Sequence, residues 1–315
     1  MNAITREEKI MSGENLTPIT RKEMFLAKAA GQDVQTPDPI TREEIFLSKI
    51  SGGGTGGGGG GSGGEIDALI DGSITEITSN VGTVRSCAFY GNKTLKTINL
   101  PNTTNIGDNA FQNCTSLESA LIPNVVTMGG NTFYFCTALK SIYCPNTTQI
   151  GRSAFYGCKN LSSAYFPVLT TVPTSSLSLC ESLEKIELPM VTEIEHNGLL
   201  GCYKLFTIDL PRCIEINLNS FSNGYSLKSL ILRRDDKICD LGGINAFERC
   251  YHYHGTVDET YNPEGLKDGY IYVPSKVING YKGATNWSNF ATQFRALEDY
   301  TVDGTITGEL DESKI

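Results

Sequence analysis

With 315 residues, of which 39% are hydrophobic, 19% charged and 9% aromatic, the chain has the make-up of a folded protein and room for one large domain or two smaller ones. Its formal net charge is -9, and no Lys/Arg cluster interrupts it, which argues against nucleic acid as a partner. No apolar run approaches the roughly 20 residues that cross a bilayer, and the start, MNAITREEKIMSG, has no apolar signal-peptide core. Synthesis in a cytosol without membrane insertion is therefore expected.

Residues 1-50 hold three related pieces, starting at Ile4, Ile19 and Ile40. In each, Thr5, Thr20 or Thr41 stands three residues before Glu8, Glu23 or Glu44, the spacing of a helix capping box. Short capped helices are expected, too short to be stable unless they dock on a surface. Residues 51-64 follow as a Gly-rich linker, in which Gly52 to Gly64 comprise eleven Gly, one Thr and one Ser. As a flexible coil this tract spans about 20 Å. A phosphate-cradling loop would usually need a Lys, and Glu65 and Asp67 follow instead.

Beyond an expected N-terminal solenoid cap at 65-88, residues 89-250 carry a repeat. Phe89, Phe111, Phe133, Phe155, Leu177, Leu199 and Phe221 are 22 residues apart, and Phe247 follows after 26. Six, nine and eleven residues after each of the seven anchors from Phe89 to Phe221 stand further apolar residues, such as Leu139, Ile142 and Cys144, giving L-x-x-I-x-L closed by a proline from Pro101 to Pro211. A further aliphatic recurs at Ile106, Met128, Ile150, Val172, Ile194 and Ile216. The alternation predicts one short strand per coil. None of these side chains is buried without a neighbouring coil, so stacked coils are expected, with parallel strands on one face.

The L-x-x-I-x-L-P unit with A-F-x-x-C, as in Ala110, Phe111 and Cys114, or Ala154, Phe155 and Cys158, resembles the BspA-type leucine-rich repeats of bacterial surface and phage proteins. The resemblance implies an α/β leucine-rich-repeat solenoid, here with short N-terminal helices and a C-terminal cap, and a binding role. Residues 251-315 resemble the closing module of such proteins in gut Firmicutes and their prophages and end in an acidic tail. In that module Phe290, Phe294 and Leu297 are expected to share a helical face. The I-T-R-x-E-x-F-L-x-K pieces resemble N-terminal parts of phage structural proteins, which implies a virion partner for residues 1-50.

Cys114, Cys136, Cys158, Cys180, Cys202 and Cys250 share one register, three residues after the anchor. A repeated register is architecture, and side chains there point in parallel, whereas a disulfide brings Cβ atoms to about 3.8 Å. Free thiols are expected. Cys250, His252 and His254 would face one way in an extended chain and are candidate zinc ligands, but the ladder register of Cys250 favours a polar loop entering the cap. No catalytic motif occurs, so neither an enzyme nor a cofactor is expected.

Positions eight and ten after each anchor should point outward from the strand face. The second column contains Leu121, Tyr143, Tyr165, Glu187 and Asp209. The first three predict an exposed apolar strip and the carboxylates further acceptors, so these five are the candidate ligand residues for a host-surface glycan or protein. Cross-strand aromatic pairing explains the same strip without a ligand. The expected protein is a virion-associated fibre or tail component made in the host cytoplasm, the alternative being a bacterial cell-surface adhesin. Homo-oligomerisation is left open.

Overall fold

A computed structural model describes residues 75-250, 269-302 and 305-306. The expected N-terminal helices, the Gly-rich linker and most of the 251-268 stretch with its two histidines lie outside the described residues. The described chain winds into a stack of short parallel strands and turns, a β-solenoid of about 22-residue coils.

The main ladder begins at Glu76–Thr78, one coil before Phe89, where Ile77 pairs with Ile98. It continues through Thr97–Asn99, Ser119–Leu121, Ser141–Tyr143, Ser163–Tyr165 and Lys185–Glu187 as one six-stranded sheet. A second sheet on the same side begins at Thr207–Asp209 and Ser229–Ile231 and runs past residue 250 into Tyr270–Val273 and Phe294–Ala296, all parallel. From Glu76–Thr78 to Ser229–Ile231 each three-residue strand turns its middle residue inward and the flanking pair outward, as period-two geometry requires. Pro145 and Pro167 follow the strand after one intervening residue, and a missing N-H ends pairing there.

A second set of two-residue strands lies in the same coils, including Thr83–Val84, Asn105–Ile106, Thr127–Met128, Thr171–Val172, Glu193–Ile194 and Glu215–Ile216. These bury the second aliphatic column, so parallel strands occupy two faces of the coil where the sequence predicts one.

The α/β expectation is met with little helix: among described residues the α-helix is Ser275–Gly283, beside short 3-10 turns. The reason is local. From Phe89 to Phe221 each coil enters the left-handed region on both sides of its anchor, as at Asn109 and Asn113 around Phe111, or Asn131 and Phe135 around Phe133. Two such residues four apart leave no room for a helical turn to propagate. Asn bears this conformation cheaply, whereas a bulky Phe135 at φ 54° is strained.

The core is one continuous column. Phe89, Phe111, Phe133 and Phe155 stack at centroid spacings of 5.0, 5.3 and 5.3 Å, and Phe221 meets Phe247 at 5.4 Å. Where Leu177 follows Phe155, Phe166 tilts against the last ring at 5.7 Å. Burying each such side chain contributes about 1.5–3 kcal/mol, so the column outweighs any single turn.

At the far end Tyr281, Trp287, Phe290 and Phe294 join this core, and Trp287 lies 6.1 Å from Phe247. The expected helical face of Phe290, Phe294 and Leu297 is not formed. Asn286 at φ 64° breaks the helical run, Phe290 ends a 3-10 turn, Phe294 enters the parallel ladder, and Leu297 packs with Ile231 and Tyr272 on the outer side.

Candidate ligand-binding face

The candidate ligand residues stand in one outward column, with cross-strand pairs Leu121 to Tyr143, Tyr143 to Tyr165 and Tyr165 to Glu187. Their environments differ. Leu121 is only 7% exposed, so the expected three-residue apolar strip is not exposed along its length. The reason is the geometry of the tyrosines: their rings stack at 4.9 Å and 7°, close to the strand spacing of about 4.8 Å. Ring faces are thus turned along the ladder, toward one another, and the far side of Tyr143 is the Leu121 side. Outward, the half-buried pair presents ring edges and phenolic groups.

Further along, Glu187 is exposed, but the Asp209 carboxylate is engaged by Arg233, whose Nε donates at 2.9 Å and Nη2 at 2.7 Å. The two expected acceptors are therefore unequal. Arg233 is the residue that the sequence reading missed, and its signal was legible: it stands twelve after Phe221, where earlier coils have proline. The main ladder also divides between Lys185–Glu187 and Thr207–Asp209, which fall in separate sheets. Glu187 and Asp209 are acidic neighbours in outward positions, and Arg233 of the following coil compensates the Asp209 charge. The other outward column is small and polar, with Ser141 and Ser163 paired beside the tyrosines.

Three other features surround this face. On the turn edge Tyr134 stacks on Tyr156 at 5.0 Å, and Phe135 stands edge-on to both at 4.7 and 5.6 Å. Its ring occupies the space over Gly157, where a Cβ would lie 2.6 Å from Phe135 Cδ1. The sequence reading passed over these residues because it followed the inward columns and the outward strand positions, whereas these stand one or two residues after the anchor, in the turn. On the second strand face, Glu193, Glu215 and Asp240 are aligned in register. Partial burial, then Glu215 and Glu195, push the Glu193 carboxyl above its ordinary value. Near the N-terminal end of that face a groove of about 620 Å³ is lined by Thr83, Asn105, Thr127, Ser86 and Asp108, away from the tyrosines.

The cysteine register is structural in detail. The thiols of Cys114, Cys136 and Cys158 donate to the carbonyls of Phe89, Phe111 and Phe133 at 3.0, 3.0 and 3.1 Å, each 25 residues back in the preceding coil. Cys250 does the same to Phe221 at 2.8 Å. The thiol supplies a weak donor to a carbonyl with a spare lone pair, in a space sized for a small apolar group. Burial pushes the Cys202 and Cys250 thiols up to about 12, which keeps the reactive thiolate scarce. Cys250 is thereby accounted for in the ladder, while its candidate co-ligands His252 and His254 lie outside the described residues. Among the described residues no group of three His, Cys, Asp or Glu could hold a metal ion. No described helix is long and apolar enough to cross a membrane.

Comparison with known proteins follows the repeat. The model of the BspA type Leucine rich repeat region matches residues 72–172 and 148–257. Solved structures with a similar fold include a leucine-rich repeat protein from Bacteroides ovatus at 23% identity, covering 70% of this chain and 66% of that one, with a TM-score of 0.44. Another is the T. pallidum leucine-rich repeat protein, at 22% identity over 42% of this chain and 78% of that one, with a TM-score of 0.35. The pneumococcal vaccine antigen PcpA is 11% identical over 71% of this chain and 78% of that one, with a TM-score of 0.29. The chain thus spans just under two thirds of the Bacteroides ovatus protein. No curated protein matches the chain.

Proposed function

Because the chain belongs to the BspA-type leucine-rich repeat family, we propose that it is a non-enzymatic binding protein whose main strand face holds a cell-surface ligand. The observation that carries this reading is the stacked Tyr143 and Tyr165 pair on a rigid ladder, beside the exposed Glu187 carboxylate and the Ser141 and Ser163 hydroxyls. Ring edges and phenols give an amphipathic contact, and the carboxylate and hydroxyls pair with a ligand's own hydroxyls. A glycan fits that chemistry, and a polar stretch of protein is the other occupant. Rigid parallel strands hold the groups in place, so little ordering cost is left for binding.

The setting we propose is the exterior of a bacterium or of a phage particle that meets one. The three N-terminal I-T-R pieces support the virion setting, with residues 1-50 docking on a virion structural protein. The family supports the bacterial surface as the second setting. Replacing Tyr143 and Tyr165 together by Ser should abolish binding to isolated bacterial cell-wall glycan and to whole cells. Losing the stacked pair costs about 0.5–1.5 kcal/mol beyond area, so the melting temperature should fall by only a few degrees. A variant that binds as well as the parent would remove the tyrosine face from the site.

A further inference from the structure

Three buried cysteines, Cys144, Cys213 and Cys239, stand outside the repeated thiol register, and the last two meet. Cys213 lies fourteen residues after Leu199, in the inward column of Val125, Leu169 and Val191. Cys239 belongs to the next coil, but pairing of Glu215 with Asp240 and Ile216 with Leu241 sets it opposite Ile214. In earlier coils the inward residue before the second strand is three positions ahead of the aliphatic, as Val191 is ahead of Ile194. Here it is two ahead, Cys239 before Leu241. In this coil the buried residue therefore sits one position nearer its second strand, and its thiol arrives diagonally to Cys213.

That offset matters for covalent geometry. Equivalent positions in stacked strands send their side chains out in parallel, and the ladder thiols accordingly turn to carbonyls. Diagonal neighbours, about 4.8 Å apart across strands and about 3.3 Å along them, have Cα atoms roughly 5.8 Å apart, near the commonest spacing in disulfides. Their side chains can converge. Cys239 Sγ donates to Cys213 Sγ at 3.8 Å, and both residues are 1% exposed.

The same segment seats the C-terminal residues. Cys239 N donates to Tyr281 Oη at 2.8 Å, Trp287 Nε1 donates to the Cys239 carbonyl at 2.6 Å, and Asn286 Nδ2 donates to the Leu241 carbonyl at 2.7 Å. Covalent closure at Cys239 would fasten the strand on which these side chains rest.

We propose that Cys213 and Cys239 form a specific oxidation site, closing to an intramolecular disulfide when the protein meets a disulfide or diazene oxidant. Two S–H bonds break and one S–S bond forms. The two electrons and two protons pass to the oxidant, giving two thiols from a disulfide or a hydrazine from a diazene. The inference does not depend on the ligand face. The contact with Cys213 and burial hold the Cys239 thiol well above its ordinary value, so closure is slow and follows opening of the segment under Tyr281 and Trp287.

The experiment uses the full chain with the exposed Cys87 replaced by Ser, which removes intermolecular coupling. Protein purified under reductant is exposed to diamide over hours, alkylated and mapped as unreduced peptides. One link is expected, Cys213 to Cys239, two hydrogens lighter than the dithiol, together with a melting temperature raised by several degrees and restored by dithiothreitol. Cys239→Ser should remove both the link and the shift, and Cys158→Ser neither. Since either substitution is buried, the link map of the parent stands as an independent readout. Links among ladder cysteines, a mixture without preference, or full alkylation after prolonged exposure would each overturn the proposal.

Discussion

At Cys158 the repeated thiol has two duties, filling a space with no exposure and donating to the Phe133 carbonyl at 3.1 Å. A serine keeps a donor for that carbonyl and loses little volume, whereas valine adds a branch to a close-packed column. Cys158→Ser should therefore cost no more than about 1 kcal/mol, and Cys158→Val about 1–3 kcal/mol. Urea unfolding of both under reductant checks this, and equal losses would show that the thiol bond is immaterial. The same residue-level reading accounts for Leu121. Its column pointed outward as period-two alternation requires, but alternation fixes direction only, and coverage by neighbouring side chains decided its burial.

The coil is the element that carries stability in this protein. Backbone bonds run from coil to coil at repeating positions, as from Phe133 N to the Ala154 carbonyl at 2.7 Å, and aromatic stacking repeats with them. Removal of a whole coil keeps every column in register, so deleting the 22 residues from Phe133 to Ala154 should leave a cooperative, slightly less stable solenoid. Deleting eleven, from Phe133 to Tyr143, puts outward residues into the core and should abolish the transition. Calorimetry of the two variants provides the check. Similar melting of both would refute the coil as the unit. The strained Phe135 shows that register outranks local preference: its left-handed backbone is imposed by the coil, and neighbouring Gly157 leaves room for the ring.

For the whole molecule, the core runs unbroken from Ile77 to Phe294, so the described solenoid and its C-terminal residues form one packed body. A chain beginning at Glu65 should keep the thermal transition of the full chain, while losing whatever attachment residues 1-50 provide. A lower transition in the shortened chain would mean that the N-terminal pieces pack on the solenoid. Particle incorporation of the two chains in a phage background separates the two proposed settings.

The 22-residue spacing of Phe111, Phe133 and Phe155, with Leu139 and Ile142 between, by itself determined the solenoid, its inward columns and the structural use of the cysteines. Burial of a recurring apolar position has one solution when every coil repeats it. Only the tertiary structure decided the second strand face, the buried state of Leu121, the engagement of Asp209 by Arg233, the ladder's continuation into Phe294–Ala296, and the meeting of Cys213 with Cys239. Each depends on what a neighbouring coil presents at one level of the stack. A period averages such differences away, because it records what coils share, whereas a contact between two coils is set by the side chains in which they differ.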